Sequence, residues 1–354
     1  MRKTTDCKIS DTAIQTAANT ISASKRRSFT AGDFLQISFV IGALTVLAIF
    51  SKSEQIITLG ILFVAIVLEA LPFMLIGTLI SGAIEVFIPK QTITKFLPKR
   101  TWLNICIGAG LGIMFPVCEC AIVPIVRRLL RKGVPLGGAV AYLLAGPIFN
   151  PVVAASTFFA YSLSWKIMLI RLFCGYIIAV TAGFLMDFFF TRTQALLPEI
   201  NNFATDENHN HTHQKHNSIA RRFSETICHA ADEFFDVTRF LIIGAFFAAM
   251  LQTIVSQSFF ADIMVHPMIS IIIMMILAVS LNLCSEADAF IAASFRSTPV
   301  PFVAQLAFMV LGPMLDIKLI LMYMRMFKLT AVIALAATTF LLTLGTMFIA
   351  GIFL

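Results

Sequence analysis

Trp102-Leu103-Asn104-Ile105-Cys106-Ile107-Gly108-Ala109-Gly110-Leu111-Gly112-Ile113-Met114-Phe115-Pro116-Val117-Cys118-Glu119-Cys120-Ala121-Ile122-Val123-Pro124-Ile125-Val126 is the stretch whose reading decides how this chain is built. It is apolar nearly throughout, yet its middle holds a helix breaker and a carboxylate. Pro116 leaves two arms of about 10–14 residues, each too short to cross a hydrocarbon layer that takes about 20 residues of helix. Basic residues flank both ends: Lys90, Lys95, Lys99 and Arg100 before, and Arg127, Arg128, Arg131 and Lys132 after. Lys and Arg gather in short cytoplasmic loops, so the stretch enters and leaves by one face. The reading is a re-entrant hairpin whose tip, Pro116 to Cys120, reaches the bilayer midplane.

The same pattern recurs downstream. An offset of 166 residues lays Cys118 on Cys284, Ala121 on Ala287, Val134-Pro135 on Val300-Pro301, Gly146-Pro147 on Gly312-Pro313 and Asn150 on Asp316. Such matches without a gap, in a chain with 13 prolines, indicate an internal duplication. The flanks of the second hairpin, Gln257 to His266 and a lone Arg296, lack the basic clusters of the first. By the charge rule it dips in from the opposite face, which gives inverted repeats, a plan common among secondary transporters. Each repeat also holds an apolar run interrupted at Gly-Pro. Interrupted helices expose backbone polar groups inside a membrane only where they are buried in protein or line a cavity.

Outward from these repeats, apolar runs cover about 34–50, 56–88, 136–161, 167–190, 234–256, 267–295, 301–323 and 329–353. The chain is 58% apolar and 13% charged, with 34 Phe and 16 Met. Soluble domains carry about 45–50% apolar and about 25% charged residues, so a soluble enzyme, a nucleic-acid binder and a secreted disulfide scaffold are excluded. The expected fold class is an all-α polytopic membrane protein. The expected organisation is a cytoplasmic tail (1–33), an extra transmembrane helix (34–53), a first membrane repeat (54–190), a cytoplasmic His-rich linker (191–231) and a second repeat (232–354). The N-terminus is expected in the cytoplasm, since no cleavable signal precedes the first run. The seven cysteines lie mostly in apolar stretches and form no disulfide framework.

Candidate chemistry centres on the two tips. Cys118, Glu119 and Cys120 are answered by Cys284, Glu286 and Asp288, and ionisable groups in a membrane segment mark function by default. Thiols and carboxylates meeting from opposing tips, with Cys118, Cys120 and Glu286 as metal ligands, suit zinc, copper(I) or a trivalent metalloid. As proton carriers, the same carboxylates suit an organic or anionic solute instead. Asn150 and Asp316 follow the two Gly-Pro breaks and complete the candidate substrate site. Glu69 is a secondary candidate. Asp236 and Arg239 read as an ion pair one helical turn apart, and Arg171 and Asp187 as side chains that snorkel to headgroups. His209, His211, His213 and His216 form a weak metal site in the linker. Gly108, Gly110 and Gly112 make a small-residue face for close helix packing. Neither a P-loop nor a hydrolase triad nor a zincin signature is present, so no enzymatic activity and no cofactor is expected.

The segments Phe115-Pro116-Val117-Cys118-Glu119-Cys120-Ala121-Ile122-Val123-Pro124, Lys132-Gly133-Val134-Pro135 and Cys284-Ser285-Glu286-Ala287-Asp288-Ala289-Phe290 resemble the bacterial predicted-permease family of the YraQ and YcgR type, related to the organoarsenical exporter ArsP. The resemblance covers both repeats from about Glu54 onward. It implies a multi-pass permease of the bacterial cytoplasmic membrane, and in the wider group a cargo of trivalent organoarsenicals, copper or zinc. It also implies a second membrane protein as companion, so a non-transporting membrane subunit of a two-protein complex is a further alternative; membrane lipid and a small solute or metal ion are the other partners expected. Arsenical-exporting members resemble Cys-Ser-Cys at the first tip. Glu119 between the cysteines is a departure that leans toward a divalent cation.

Overall fold

A computed structural model describes residues 54–87, 100–114, 118–198, 219–254, 267–297 and 300–353. The expected N-terminal helix, the Phe115 to Val117 turn and the four linker histidines lie outside the described residues. The chain divides into two compact units, Met1–Ile57 and Thr58–Leu354, and nearly all the described residues belong to the second.

Every regular element among the described residues is helical. In chain order they are α1 (Glu54–Phe87), α2 (Thr101–Met114), α3 (Glu119–Arg131), α4 (Leu136–Ala145), α5 (Pro151–Ala160), α6 (Trp165–Phe189), α7 (Arg192–Ala195), α8 (Ile219–Ile254), α9 (Pro267–Leu281), α10 (Ala287–Ser294), α11 (Phe302–Leu311), α12 (Ile317–Tyr323) and α13 (Leu329–Phe353). Three apolar stretches, Ile57–Phe87, Trp165–Phe189 and Leu329–Ile352, are long enough to cross a membrane. Their outward faces carry exposed Ile61, Leu68, Phe173, Phe188, Ile333 and Leu341. Apolar surface of that extent is stable against lipid and not against water. The chain is a membrane protein.

The remaining helices are half-length, and local sequence explains where they stop. The ten residues of α4 are all buried and rise only about 15 Å. After Gly146, Pro147 supplies no backbone donor, and the helix ends. Asn150 is extended and its Oδ1 accepts from Val152 N at 2.9 Å, with Pro151 in the first turn of α5. A side-chain cap and a proline at the first helical position are strong start signals. The second break repeats this design: α11 ends at Gly312, and extended Asp316 accepts from Leu319 N at 2.6 Å to cap α12.

Helix bounds recur at the 166-residue offset. Leu136–Ala145 falls on Phe302–Leu311, and Pro135 and Pro301 precede them with nearly identical backbone angles. Likewise α1 falls on α8, α2 on α9 and α6 on α13, to within about two residues at each end. Packing follows the same correspondence. The buried α4 contacts α2 and α6, as α11 contacts α9 and α13, and α6 contacts α13. Further contacts cross between the halves, among them α3 with α12, α10 with α5, and α11 with α6. The glycine face of α2 works as its composition implies. A Cβ on Gly108 would collide with the carbonyl of Gly138, and one on Gly112 would come 2.9 Å from the Gly146 Cα, whereas Gly110 faces open space.

Two expectations shift. The polar stretch expected to run from Thr191 to Ala231 ends earlier, because α8 begins at Ile219. Ala, Glu and Arg favour helix there, and Thr226, Ala230 and Glu233 are buried on its inner face. The linker's other end is also ordered: Leu196 bridges to Phe327, and Arg192 donates to the carbonyls of Val134 and Leu130.

Candidate functional site

The first tip meets the second break through a buried ion network. Cys118 is extended and precedes α3, which places Glu119 in the first turn. Glu119 is 1% exposed, and its Oε1 accepts from Lys318 Nζ at 3.1 Å. Lys318, 3% exposed, also stands 3.5 Å from Asp316 Oδ2. An ammonium in the first turn of α12 opposes the helix dipole, so it is the two carboxylates that hold it there. Asn282 follows α9 with φ of 51°, a left-handed position that Asn tolerates after a helix. With its amide nitrogen turned inward, Asn282 donates to both Asp316 oxygens at 2.8 and 2.9 Å. Glu119 Oε2 is buried without a hydrogen-bond partner.

Beside this network is a small cavity of about 20 Å³, lined by Glu69 of α1, by Cys118, Glu119 and Cys120, and by Cys284 and Lys318. One water needs about 10–15 Å³, so the space suits one particle of that size. Both tips therefore contribute thiols to one enclosure. Cys118 and Cys120 are buried, and Cys284 is half-buried. The secondary candidate Glu69 thus belongs with the tips.

Other expected residues lie elsewhere. Glu286 is half-buried beside Ser285, whose hydroxyl approaches it at 3.4 Å. Asp288 is buried against the second break: a Cβ on Gly312 would stand 2.8 Å from its Oδ2. Asn150 caps α5 and lines a separate apolar groove with Phe149, Phe173 and Tyr176. Among the described residues, no group of three or more His, Cys, Asp or Glu side chains converges as metal ligands. The side chain of Asp236 is outside the described set.

Arg171 does not snorkel. It is 1% exposed, and its guanidinium donates to Thr157 Oγ1 at 2.6 Å and to the carbonyls of Ser285 and Met309, each at 3.0 Å. It joins α6 to α5, to the second tip and to the end of α11. Position near a helix end suggested a headgroup, but its hydrogen-bond partners lie in the protein. Asp187 likewise turns inward and accepts from Gly137 N at 3.1 Å.

The basic cluster at the end of α3 is tied down too. Arg128 pairs with Glu233 at 2.9 Å and Glu85 at 3.6 Å, and Ser81 donates to the same Glu233 oxygen at 2.7 Å. Lys132 donates to the Glu85 carbonyl at 3.0 Å; burial lowers its pKa, against the opposing pull of the Glu85 carboxylate. Lys318 and Asn282 are the site residues that the sequence reading missed. The signal was available for Lys318, a lone cation inside an apolar run two residues after Asp316. Nothing short of the fold brings Asn282 to Asp316.

A family profile described as a predicted permease matches residues 55–352. The chain is similar to the UPF0718 protein YcgR of Bacillus subtilis, 40% identical over 278 residues that cover 78% of this chain and 92% of the relative. It is similar to a putative two-component membrane permease complex subunit of Streptococcus mutans, 38% identical over 293 residues covering 82% and 94%. The UPF0718 protein YraQ of Escherichia coli is 25% identical over 112 residues, about a third of each chain. No solved structure matches.

Proposed function

The chain belongs to this predicted-permease family, and on that premise we propose that it is a secondary transporter of the bacterial cytoplasmic membrane, moving a soft, thiophilic species between its two tips. The reading takes 54–190 and 232–354 as inverted repeats, with α2–α3 and α9–α10 as re-entrant hairpins entering from opposite faces and the N-terminus in the cytoplasm. The observation that carries it is the enclosure lined by Cys118, Cys120 and Cys284, thiols from both tips, beside broken helices. Thiolates select copper(I) and trivalent metalloids over hard cations. The Glu119–Lys318 pair bears on the choice of cargo. With an ammonium at 3.1 Å, Glu119 is already neutralised, and a divalent cation would meet Lys318 at close range. That removes the argument for zinc drawn from Glu119 alone.

A second reading rests on the same lysine. Lys318 beside the cavity suits an organic anion, with the surrounding carboxylates carrying protons. A second membrane subunit accompanies either cargo, supported by the two-component name of the Streptococcus mutans relative.

Titration of copper(I), trivalent methylarsenite and zinc into purified protein decides between them, beside Cys118→Ser/Cys120→Ser/Cys284→Ser with residues 199–218 deleted in both backgrounds. Near-stoichiometric binding of copper(I) or methylarsenite, lost in the variant and much weaker for zinc, is the expected result. Equal binding in both proteins, or none, overturns the thiophilic reading and turns the search to anions that need Lys318.

A further inference from the structure

The apolar groove beside Asn150 lies apart from the thiol enclosure, and the transport reading leaves it unused. Its volume is about 550 Å³, and its walls include Phe149, Asn150 and Ala154 on one side and Leu169, Phe173 and Tyr176 of α6 on the other. It opens sideways, since Leu169 and Phe173 are 56% and 64% exposed on a membrane-spanning helix. The duplication explains why the slot is there. At the 166-residue offset, Val152 of α5 corresponds to Lys318 of α12. In the second half α8 covers that position so closely that a Cβ on Gly244 would stand 2.6 Å from the Lys318 Cα. Its counterpart α1 packs instead on Ala121 at Gly77 and on Thr226 at Gly82. Val152 is left 51% exposed.

The slot also has a direction. Leu169, Phe173 and Tyr176 follow Lys166 at i+3, i+7 and i+10, on one face of α6. From Lys166 to Tyr176 the helix rises about 15 Å, half of a hydrocarbon layer about 30 Å thick. The groove therefore runs from the headgroup level at the start of α6 to the depth of the Gly146-Pro147 break. Trp165 marks that headgroup level, exposed and stacked on Phe158 at 4.6 Å. Exposed Lys166 stands there, and exposed Arg296 joins it at the α5–α6 turn, where it donates to Ser162 Oγ at 3.1 Å. Neither residues 151–170 nor residues 289–303 include an acidic residue to offset these two cations.

We propose that this groove is a binding site for an anionic phospholipid of one leaflet, with an acyl chain along α6 from Leu169 to Tyr176 and the phosphate at Lys166 and Arg296. Two observations fix the occupant: complementary charge at one end, and apolar walls that stop after one leaflet. A transmembrane helix of a partner would need a seat running the full thickness of the bilayer. The end of the chain lies against Phe149 and Asn150, between the half-helices α4 and α5. A lipid thus covers α5 where α8 covers α12. The inference rests on the chain spanning the membrane and not on its cargo.

The test is quenching of Trp165 fluorescence by brominated lipid in liposomes. Trp102 and Trp165 are the two tryptophans, so full-length Trp102→Phe protein reports from the mouth of the groove alone. Phosphatidylglycerol and phosphatidylcholine with the same brominated chains are each titrated against their unbrominated forms. A cation near the membrane surface favours anionic lipid by a factor of about five. We expect a binding constant for phosphatidylglycerol at least about fivefold above that for phosphatidylcholine. The preference should vanish in Lys166→Gln/Arg296→Gln and in Ala154→Phe, whose ring fills the slot, and should survive Arg100→Gln, which removes an exposed cation elsewhere. The double variant changes exposed side chains only, so it carries the test if Ala154→Phe does not fold. Equal quenching by the two lipids means bulk lipid alone, and a preference that survives Ala154→Phe means a headgroup held without the groove. Shielding of Trp165 from both lipids means a protein helix in that place. Each of the three overturns the proposal. Failure of copper(I) or methylarsenite binding would refute the cargo assignment while leaving this quenching unchanged.

Discussion

Removal of Lys318 tests the centre of the site most directly, because it serves two carboxylates at once. Its ammonium is 3.1 Å from Glu119 and 3.5 Å from Asp316, with all three side chains at most 4% exposed. At an effective dielectric of about 20, each attraction is about 5 kcal/mol before desolvation is counted. Breaking a buried pair by removing one partner costs about 3–5 kcal/mol, because the other charge is left uncompensated. With both carboxylates ionised the trio carries one net negative charge. Lys318→Met raises that to two and strands both anions, whereas Glu119→Gln brings it to zero and leaves Lys318 with Asp316. Lys318→Met should therefore destabilise by about 3–5 kcal/mol and Glu119→Gln by clearly less. The double variant should recover part of the Lys318→Met loss. Reversible unfolding in mixed lipid–detergent micelles with increasing dodecyl sulfate reads all three. Equal losses for the two single variants, adding in the double, would refute the reasoning, since it requires the charges to be coupled.

The same geometry sets three other expectations. At the end of α3, Arg128→Met leaves Glu233 with Ser81 alone, and the same unfolding assay should register a loss of about 3 kcal/mol; a loss below about 1 kcal/mol would show that water already serves Glu233. In mass-spectrometric alkylation of the native protein, half-buried Cys284 should react before Cys118 and Cys120, and equal rates would show that the enclosure is open to solvent. Asn150→Ala removes the cap on α5 and should cost about 1 kcal/mol, while Asn150→Asp, which keeps the acceptor, should cost markedly less; equal losses would show that the cap is incidental.

Composition, the Gly-Pro breaks and the 166-residue offset were enough to anticipate the half-length helices, because each rests on a local rule. Pro135 and Pro301, the glycines after α4 and α11, and the caps Asn150 and Asp316 act within a turn of where they stand. The tip thiols were legible for a related reason, as polar groups beside a breaker in an apolar run. What was not legible depends on where a long side chain reaches. Lys318 was lost inside an apolar run, where one charge barely lowers the average hydropathy. Arg171 was sent to the wrong environment because its height on a helix says nothing about Ser285, 114 residues away. The start of α8 was hidden because the sequence from Ile219 to Asp232 is rich in polar residues and reads as linker. Glu286 and Asp288 were grouped with the tip thiols by sequence adjacency, yet Asp288 is buried against Gly312 and neither residue lines the thiol enclosure.

Two of the contacts that cross between the halves, α3 with α12 and α10 with α5, share a backbone plan and differ in chemistry. At the offset of 166, Glu119 corresponds to Ser285, Lys318 to Val152, Arg171 to Ala337 and Asp288 to Ile122. Where α3 meets α12, the ionic groups are Glu119, Lys318 and Asp316, closed on one another beside three thiols. Where α10 meets α5, the buried charges are Asp288, whose Oδ2 lacks a hydrogen-bond partner, and Arg171 of α6, which donates to Thr157 and to the Ser285 carbonyl. A duplicated scaffold with identical crossings would treat both tips alike; here Arg171 ties the second tip and the end of α11 to α6, and Ala337 stands at the corresponding place in the second half. The break that follows α11 carries Lys318 to the thiol enclosure, with Asp316 beside it, so α11–α12 is the element that touches both crossings.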